Sequence, residues 1–329
     1  MSQSAHALPE NSTPTRSDRR KGVLYGCIAA ISYGMNPVCA LYLYGDGINT
    51  NSVLFYRFAI SIVLLGAFMA LRRIPFGISR HEAGVLALLG VLFAVSSITY
   101  FLSFRYMGAG VAATLVFSYP VMVALIMCLC FGERLKWPSL AAIAMTTAGI
   151  ALLYRDDSGK PIATAGVVIV LLSALAYALY IVAVNRSRII MSSTKLTFYA
   201  LLVCLACIAA YAEFTPTGEL QWLTTPREWI FATLLALVPT VISLLFMTMA
   251  IRKIGSTATA VMGALEPVTA IFLGMVLFGE AVTPRISAGV LLILVAVMCI
   301  ILDSRLRQAL SKSRIVKRGQ LVWKRWHWK

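Results

Sequence analysis

Two ionisable side chains stand inside long apolar stretches: Glu266 within 256–278 and Arg57 within 50–71. A charged carboxylate at the centre of a membrane helix costs about 2.5–3.5 kcal/mol on insertion scales, so Glu266 is expected to be protonated, paired or in a wet cavity. There it could hold a substrate amine or carry a coupling proton. The structural alternative is a neutral acid hydrogen-bonding beside Pro267. Arg57 enters its helix by about 10 Å at ~1.5 Å per residue and is expected to snorkel outward, with binding of a substrate carboxylate as its alternative role.

Hydroxyl, amide and aromatic side chains mark the helix faces that avoid lipid, because an unpaired polar group in hydrocarbon costs several kcal/mol. Six apolar stretches carry such a face: Ser32, Tyr33 and Asn36; Ser96, Tyr100 and Ser103; Thr114, Ser118 and Tyr119; Ser173, Tyr177 and Tyr180; Ser243 with Phe246 and Met247; and Thr259, Met262 and Glu266. Their convergence predicts a central cavity with Tyr33, Asn36, Ser96, Tyr100, Ser118, Tyr119, Tyr177, Tyr180, Ser243, Met247, Met262 and Glu266 as the substrate-binding set. Any single Ser or Thr can instead bond back to its own helix or to a neighbour. Pro37, Pro120, Pro239 and Pro267 cannot donate to the carbonyls of Tyr33, Val116, Leu235 and Gly263, which is how proline opens a helix. Those carbonyls could accept from a substrate ammonium, or be repaired by water or a nearby hydroxyl. In either case the four prolines are the predicted hinges.

Catalytic chemistry has little support in this inventory. HExxH and the phosphate-binding GxxxxGK[ST] pattern are absent, and no intramembrane His or Asp is available to pair with Glu266, so no catalytic, cofactor or metal residue is expected and ATP is not the direct drive. The 7 cysteines all lie inside apolar runs and read as small buried hydrophobes. A membrane-embedded enzyme and a nontransporting scaffold are the weaker classes.

The elements that must position these residues follow from composition. Hydrophobic residues make up 60% of the chain and charged ones 13%, too few to cover the surface of a soluble domain of this length. The formal charge of +16 sits between apolar runs and in the tails, not on one folded basic face, which argues against a nucleic-acid partner. Apolar segments occupy 22–44, 50–71, 83–103, 109–131, 138–154, 165–185, 196–212, 229–250, 256–278 and 285–302. Segments of about 20 residues are long enough to cross a hydrocarbon core of ~30 Å. The expected fold is therefore an all-α integral membrane protein of ten transmembrane helices, in plasma membrane, flanked by a polar leader at 1–21 and a basic tail at 304–329. Trp323, Trp326 and Trp328 with their neighbouring cations would let that tail meet anionic lipid. Helix five carries small residues at Ala142, Thr146 and Gly149, suited to packing on helix ten or on another subunit.

The fourth and ninth segments are one pattern written twice. A shift of 147 positions carries Arg105 onto Arg252, Gly108 onto Gly255, Pro120 onto Pro267, and Phe131-Gly132-Glu133 onto Phe278-Gly279-Glu280. Near shifts match Gly22, Ala30 and Tyr33 to Gly166, Ala174 and Tyr177. Equivalent points are five helices apart, and an odd number inverts the second copy. The chain is thus a five-plus-five inverted repeat, 22–154 and 165–303, and such repeats build two gates of opposite orientation. Lys and Arg are in excess on the N-terminal side of the bundle, at Arg72, Arg73, Arg80, Arg134, Lys136, Arg186, Arg188, Lys195, Arg252 and Lys253, against Arg105, Arg155, Lys160, Arg227 and Arg285 opposite. Both termini are therefore expected in the cytoplasm.

Ten helices in two inverted halves, Tyr119-Pro120 and Glu266-Pro267 at matched places, and Phe-Gly-Glu closing helices four and nine resemble the drug/metabolite transporter superfamily, EamA-type branch, over residues 22–303. Within it the chain most resembles bacterial exporters of amino acids, including aromatic ones, and related metabolites. The resemblance implies a cavity ringed by helices one to four and six to nine, with five and ten at the periphery, and export of a small amphiphilic metabolite by alternating access. Efflux of organic cations, held by the tyrosines through cation–π contacts, is the nearest alternative.

Overall fold

The structure is a computed structural model that describes residues 16–131, 137–153, 163–187, 189, 191–215 and 219–299. The leader before residue 16, the tail beyond 299 and the loop holding Glu133 lie outside them. Ten apolar helical spans are present among the described residues. Seven are long enough to cross a membrane (Arg20–Gly45, Thr50–Leu71, Arg80–Ser103, Ala109–Phe131, Thr164–Val184, Ser193–Phe214 and Pro226–Ala250), and three are shorter (Leu140–Leu153, Leu265–Phe278 and Pro284–Cys299). The protein is an all-helical membrane protein of two repeats, with the segments where the hydropathy placed them.

Several spans are interrupted, and the interruptions fall at the prolines. The first is α1 (Arg16–Gly34) followed by α2 (Asn36–Gly45), whose Pro37 occupies the second position. After α3 (Thr50–Leu71) and α4 (Arg80–Ser103), the fourth span breaks at Phe117-Ser118 into α5 (Ala109–Val116) and α6 (Tyr119–Phe131). Next come α7 (Trp137–Leu153), α8 (Thr164–Arg186), α9 (Ser193–Phe214) and α10 (Pro226–Ala236). Six residues from Leu237 to Ile242 around Pro239 are wound as a π-helix, a form in which a proline is accommodated without ending the span. Then α11 (Ser243–Met262) leads through Gly263-Ala264 to α12 (Leu265–Phe278), and α13 (Pro284–Cys299) closes the described chain. Proline is well placed just inside a helix start, where its missing N–H has no partner to lose.

The boundary between the eighth and ninth segments is not a break in helical winding. A methyl group built on Gly26 would lie 3.8 Å from Ala250 and 3.0 Å from Met262, whereas 12 residues of straight helix would separate those two by about 18 Å. The chain therefore doubles back within α11. What both arms share is α1, whose Gly22, Gly26, Ala30 and Gly34 recur at every fourth residue. Small residues at that spacing let backbones approach closely. A methyl on Gly34 would lie 2.7 Å from the Glu266 carbonyl oxygen, so α1 fixes the start of α12 by contact with its backbone.

The two repeat-related breaks meet. Phe117 and its repeat mate Ala264 share a small apolar cluster with Val121 and Val297. Between the halves, Glu280 accepts from the Ala109 and Gly110 amides at 2.6 and 3.3 Å. A carboxylate there satisfies the free donors at the start of α5. Helix α7 rests on α13 through Gly149 and Gly289, where a methyl on either would reach the other's carbonyl oxygen within 2.9 or 3.1 Å. Arg285 also donates to the Leu152 carbonyl at 3.0 Å. Gly149 of the small-residue face thus packs on helix ten. All seven cysteines are free, but only Cys39 and Cys204 are buried; Cys27, Cys128, Cys207 and Cys299 are half-buried and Cys130 is exposed, because they lie on helix flanks that the bundle covers only in part.

At the end of the bundle far from the N-terminus, the halves are joined by several contacts. Asp46 pairs with Arg227 at 3.4 Å, Tyr42 stacks on Phe231 with ring centres 4.5 Å apart, and Tyr42 also meets Phe278 at 5.3 Å. The segment leading into α10 is strapped across the start of α3. Asn49 donates from its backbone to Gln221 at 2.6 Å and from its side chain to the Glu219 carbonyl at 2.7 Å, and the Gln221 amide donates to Ser52 at 2.7 Å.

Candidate functional site

Two adjoining cavities lie inside the bundle. The larger, about 170 Å³, is lined by residues including Tyr33, Arg57, Tyr180, Thr197, Pro239 and Ser243. The smaller, about 90 Å³, is lined by residues including Ser96, Tyr100, Tyr119, Ser173 and Glu266. Tyr33, Arg57, Phe93, Tyr177 and Met247 line both. The larger reaches toward the N-terminal end of the bundle, since Tyr180 precedes the end of α8 by six residues and Thr197 is the fifth residue of α9.

Nine residues of the sequence-derived binding set line these cavities: Tyr33, Ser96, Tyr100, Tyr119, Tyr177, Tyr180, Ser243, Met247 and Glu266. Asn36, Ser118 and Met262 are not among the linings. Met262 packs against Gly26 and accepts from the Cys27 thiol at 3.7 Å. Asn36 and Ser118 are each 1% exposed, and neither the Asn36 amide nor the Ser118 hydroxyl has a hydrogen-bond partner. Both sit at helix breaks.

Hydroxyls of one sequence pattern have separate fates. Ser103 donates to the Tyr100 carbonyl at 2.6 Å and Thr114 to the Gly110 carbonyl at 2.8 Å, the bond back to the preceding turn that is always open to such side chains. Ser173 instead crosses to the Ser96 carbonyl at 2.7 Å, with the two hydroxyls 3.2 Å apart. This ties α4 to α8 at the wall of the smaller cavity. Ser243 crosses to the Ala29 carbonyl at 2.9 Å.

Arg57 corrects the expectation of an outward-snorkelling side chain. It is 4% exposed and lines both cavities. Its Nε donates to the Thr240 hydroxyl at 3.1 Å, and its guanidinium lies 5.1 Å from the ring centres of Phe58 and of Phe101. Desolvated cation–π contacts are worth about 2 kcal/mol or more, which offsets part of the cost of burial. Depth alone gave the wrong side; the π-helical turn of α10–α11 supplies Thr240 opposite, and nothing at Arg57 itself signals that partner. The Thr240 hydroxyl in turn donates to the Leu235 carbonyl at 3.3 Å, and Ser61 donates to the Ala236 carbonyl at 3.3 Å. The carbonyl that Pro239 leaves free is thus repaired by a neighbouring hydroxyl, and that repair also holds the arginine. The Gly263 carbonyl accepts from the Glu266 amide at 2.9 Å.

Ring contacts form the remaining wall. Tyr177 and Tyr180 stack with centres 5.8 Å apart, Tyr119 meets Tyr177 edge-on at 4.8 Å, and Phe93 lies 5.7 Å from Tyr180. Phe93 was missed because an isolated Phe in an apolar helix carries no polar signal. Glu266 and Arg57 face this one space, yet no ion pair joins them, and among the described residues no carboxylate pairs with Arg57. The arrangement is an aromatic box with a buried cation and a half-buried acid in its walls. No group of three or more His, Cys, Asp and Glu suited to a metal occurs among the described residues.

Comparison with known proteins matches residues 20–155 and 164–302 to the EamA-like transporter family, once in each half. Among curated proteins, an uncharacterized transporter of Archaeoglobus fulgidus is 24% identical over 85% of this chain and 98% of its own length. A second from the same organism is 25% identical over 82% of this chain and 93% of its own length. An uncharacterized transporter of Bacillus subtilis, YcbK, is 22% identical over 79% of this chain and 86% of its own length. A protein of known crystal structure shares the fold, with a TM-score of 0.61 at 20% identity, over 87% of this chain and 98% of that one.

Proposed function

Because the chain belongs to the EamA-like transporter family, with one repeat in each half, we propose that it is a secondary carrier exporting amino acids or related small amphiphilic metabolites by alternating access. The observation that carries this reading is the cavity itself: Arg57 and Glu266 line it without pairing to each other, among aromatic rings. A zwitterion supplies the opposite charge to each, and an apolar side chain suits the ring wall. A volume of about 170 Å³ favours a small metabolite over a drug-sized ligand, whose sites run to roughly 300–1,000 Å³. In this reading Pro37, Pro120, Pro239 and Pro267 are hinges and the termini are cytoplasmic. The basic tail would meet anionic lipid.

The alternative, organic-cation efflux, is favoured by the stacked Tyr177–Tyr180 pair beside Glu266, but a buried arginine in the same wall opposes it. Exchange by purified protein in liposomes loaded with unlabelled amino acids and quaternary amines decides between them. Uptake of labelled amino acid that depends on internal amino acid supports the proposal. Amine exchange without amino-acid exchange would establish the alternative.

A further inference from the structure

The two adjoining cavities differ in what lines them. Arg57 stands in the wall of both, whereas Glu266 and the hydroxyl residues Ser96, Ser97 and Ser173 line the smaller alone. Among the described residues no acid lines the larger. Beyond the shared residues its wall includes Tyr180, Leu201 and Leu244, with Thr197 toward its near end. The hydroxyls of Thr240 and Ser243 are already engaged, donating to the Leu235 and Ala29 carbonyls, so that wall offers a ligand mostly apolar surface. Leu244 is half-buried and lines the larger cavity alone, one turn before Met247, which lines both. The bond from Ser243 to Ala29 ties this part of α11 to α1, so Leu244 is held in place.

We infer that the larger cavity is the side-chain subsite of the carrier, that it takes a large apolar side chain, aromatic or branched aliphatic, and that Leu244 sets the size limit. The inference rests on the zwitterion-carrier reading. A zwitterion that meets both charges has its ammonium in the smaller cavity with Glu266 and its carboxylate at Arg57, where the two cavities adjoin. The head occupies the smaller space of about 90 Å³, and the space of about 170 Å³ on the other side of Arg57 is left for the side chain. The substrate therefore lies head inward, with its side chain toward the N-terminal end of the bundle. Apolar surface removed from water favours binding in proportion to its area. Affinity accordingly climbs with side-chain size until the side chain meets Leu244.

The test compares alanine, leucine, phenylalanine and tryptophan, one head with four side chains, by the concentration giving half-maximal exchange with full-length protein in liposomes. Wild-type protein is expected to hold alanine most weakly. Leu244→Phe, which shortens the chamber, should raise the value for phenylalanine and tryptophan about tenfold relative to alanine, the scale on which an apolar pocket discriminates by size. Leu244→Ala, which lengthens it, should improve tryptophan relative to leucine by a similar factor. Each ratio is taken within one protein, so partial misfolding lowers all four rates together and leaves the ratios readable. If Leu244→Phe gives no folded protein, Leu244→Ala decides. Val116→Phe narrows the smaller cavity alone and should weaken all four alike, through the head they share. Ratios that neither Leu244 change alters would overturn the inference. So would a reordering produced by Val116→Phe, because the side chain would then lie in the smaller cavity. Wild-type protein that exchanges and binds none of the four would overturn the carrier reading itself, and the inference with it.

Discussion

Arg57 shows what a residue's neighbours decide and its own position does not. A guanidinium two turns into a membrane helix can leave along its stem or be held inside; here Thr240, Phe58 and Phe101 hold it. Substitution by Lys keeps the charge but loses the planar fork and its stacking. Arg57→Lys is therefore expected to weaken substrate binding by about tenfold to a hundredfold, the range of 1.5–3 kcal/mol for a hydrogen bond to a charged group, as measured by the concentration dependence of exchange. Glu266 makes a different prediction. If it carries the coupling proton, Glu266→Gln retains exchange between equal internal and external substrate but no longer responds to an imposed pH gradient; a gradient response that survives the change assigns the coupling elsewhere. The tyrosines and Glu266 were legible in the sequence because polar atoms at helical spacing in apolar runs have few other uses. Ser103 and Thr114 were not separable from Ser96 and Ser173, since a hydroxyl bonded to its own preceding turn and one crossing to another helix occupy identical sequence patterns.

Among the elements, the prolines were read correctly as places of interruption, and the form of each interruption was hidden. Proline guarantees a missing donor; whether the helix then breaks, as at Phe117-Ser118, or widens, as at Leu237–Ile242, depends on what stands ready to meet the freed carbonyl. At Pro239 that is the Thr240 hydroxyl, shared with Arg57. Pro239→Ala is expected to restore ordinary helical bonding and withdraw Thr240 from the arginine, lowering the exchange rate while raising Tm. An unchanged rate would show that the π turn has no part in transport. The close approach of α7 and α13 gives a plainer stability prediction. Gly149→Leu puts side-chain atoms where a first methyl already sits 2.6 Å from Ile293, and overpacking of this kind costs about 1–3 kcal/mol. A lower Tm in detergent is the expected result, with the binding affinity of surviving protein unaffected.

At the scale of the whole molecule, the inverted repeat was visible from the constant spacing of Pro120 and Pro267 and of the two Phe-Gly-Glu endings. The closed far end was not, because Tyr42, Asp46, Gln221 and Arg227 come from loops and helix ends that share no pattern. That closure combines a surface ion pair, worth about 0–1 kcal/mol, with ring stacking and a strap of hydrogen bonds. Under the proposed alternating-access mechanism, individually modest contacts would suit a gate. Joining Asp46→Cys to Arg227→Cys by a disulfide is expected to abolish exchange, with recovery on reduction, while leaving substrate binding from the near end intact. Full exchange in the cross-linked protein would mean that the far end is not a gate.

The glycine stripe of α1 carries one more consequence. A helix that meets its neighbours through Gly22, Gly26, Ala30 and Gly34 has few side chains of its own to release along that stripe, the crossing contacts of α1 with α11 being Tyr25 on Phe246, the Cys27 thiol on Met262 and the Ser243 hydroxyl on the Ala29 carbonyl. In the proposed alternating-access cycle the stripe would serve as a bearing surface, and the contacts to be released would be the α1–α11 ring pair and the stacked rings at the far end. Fitting one tooth to that bearing, as Gly26→Ala does against Met262 at 3.0 Å, should slow turnover most in the cold, when the thermal motion that would ride over the tooth is weakest.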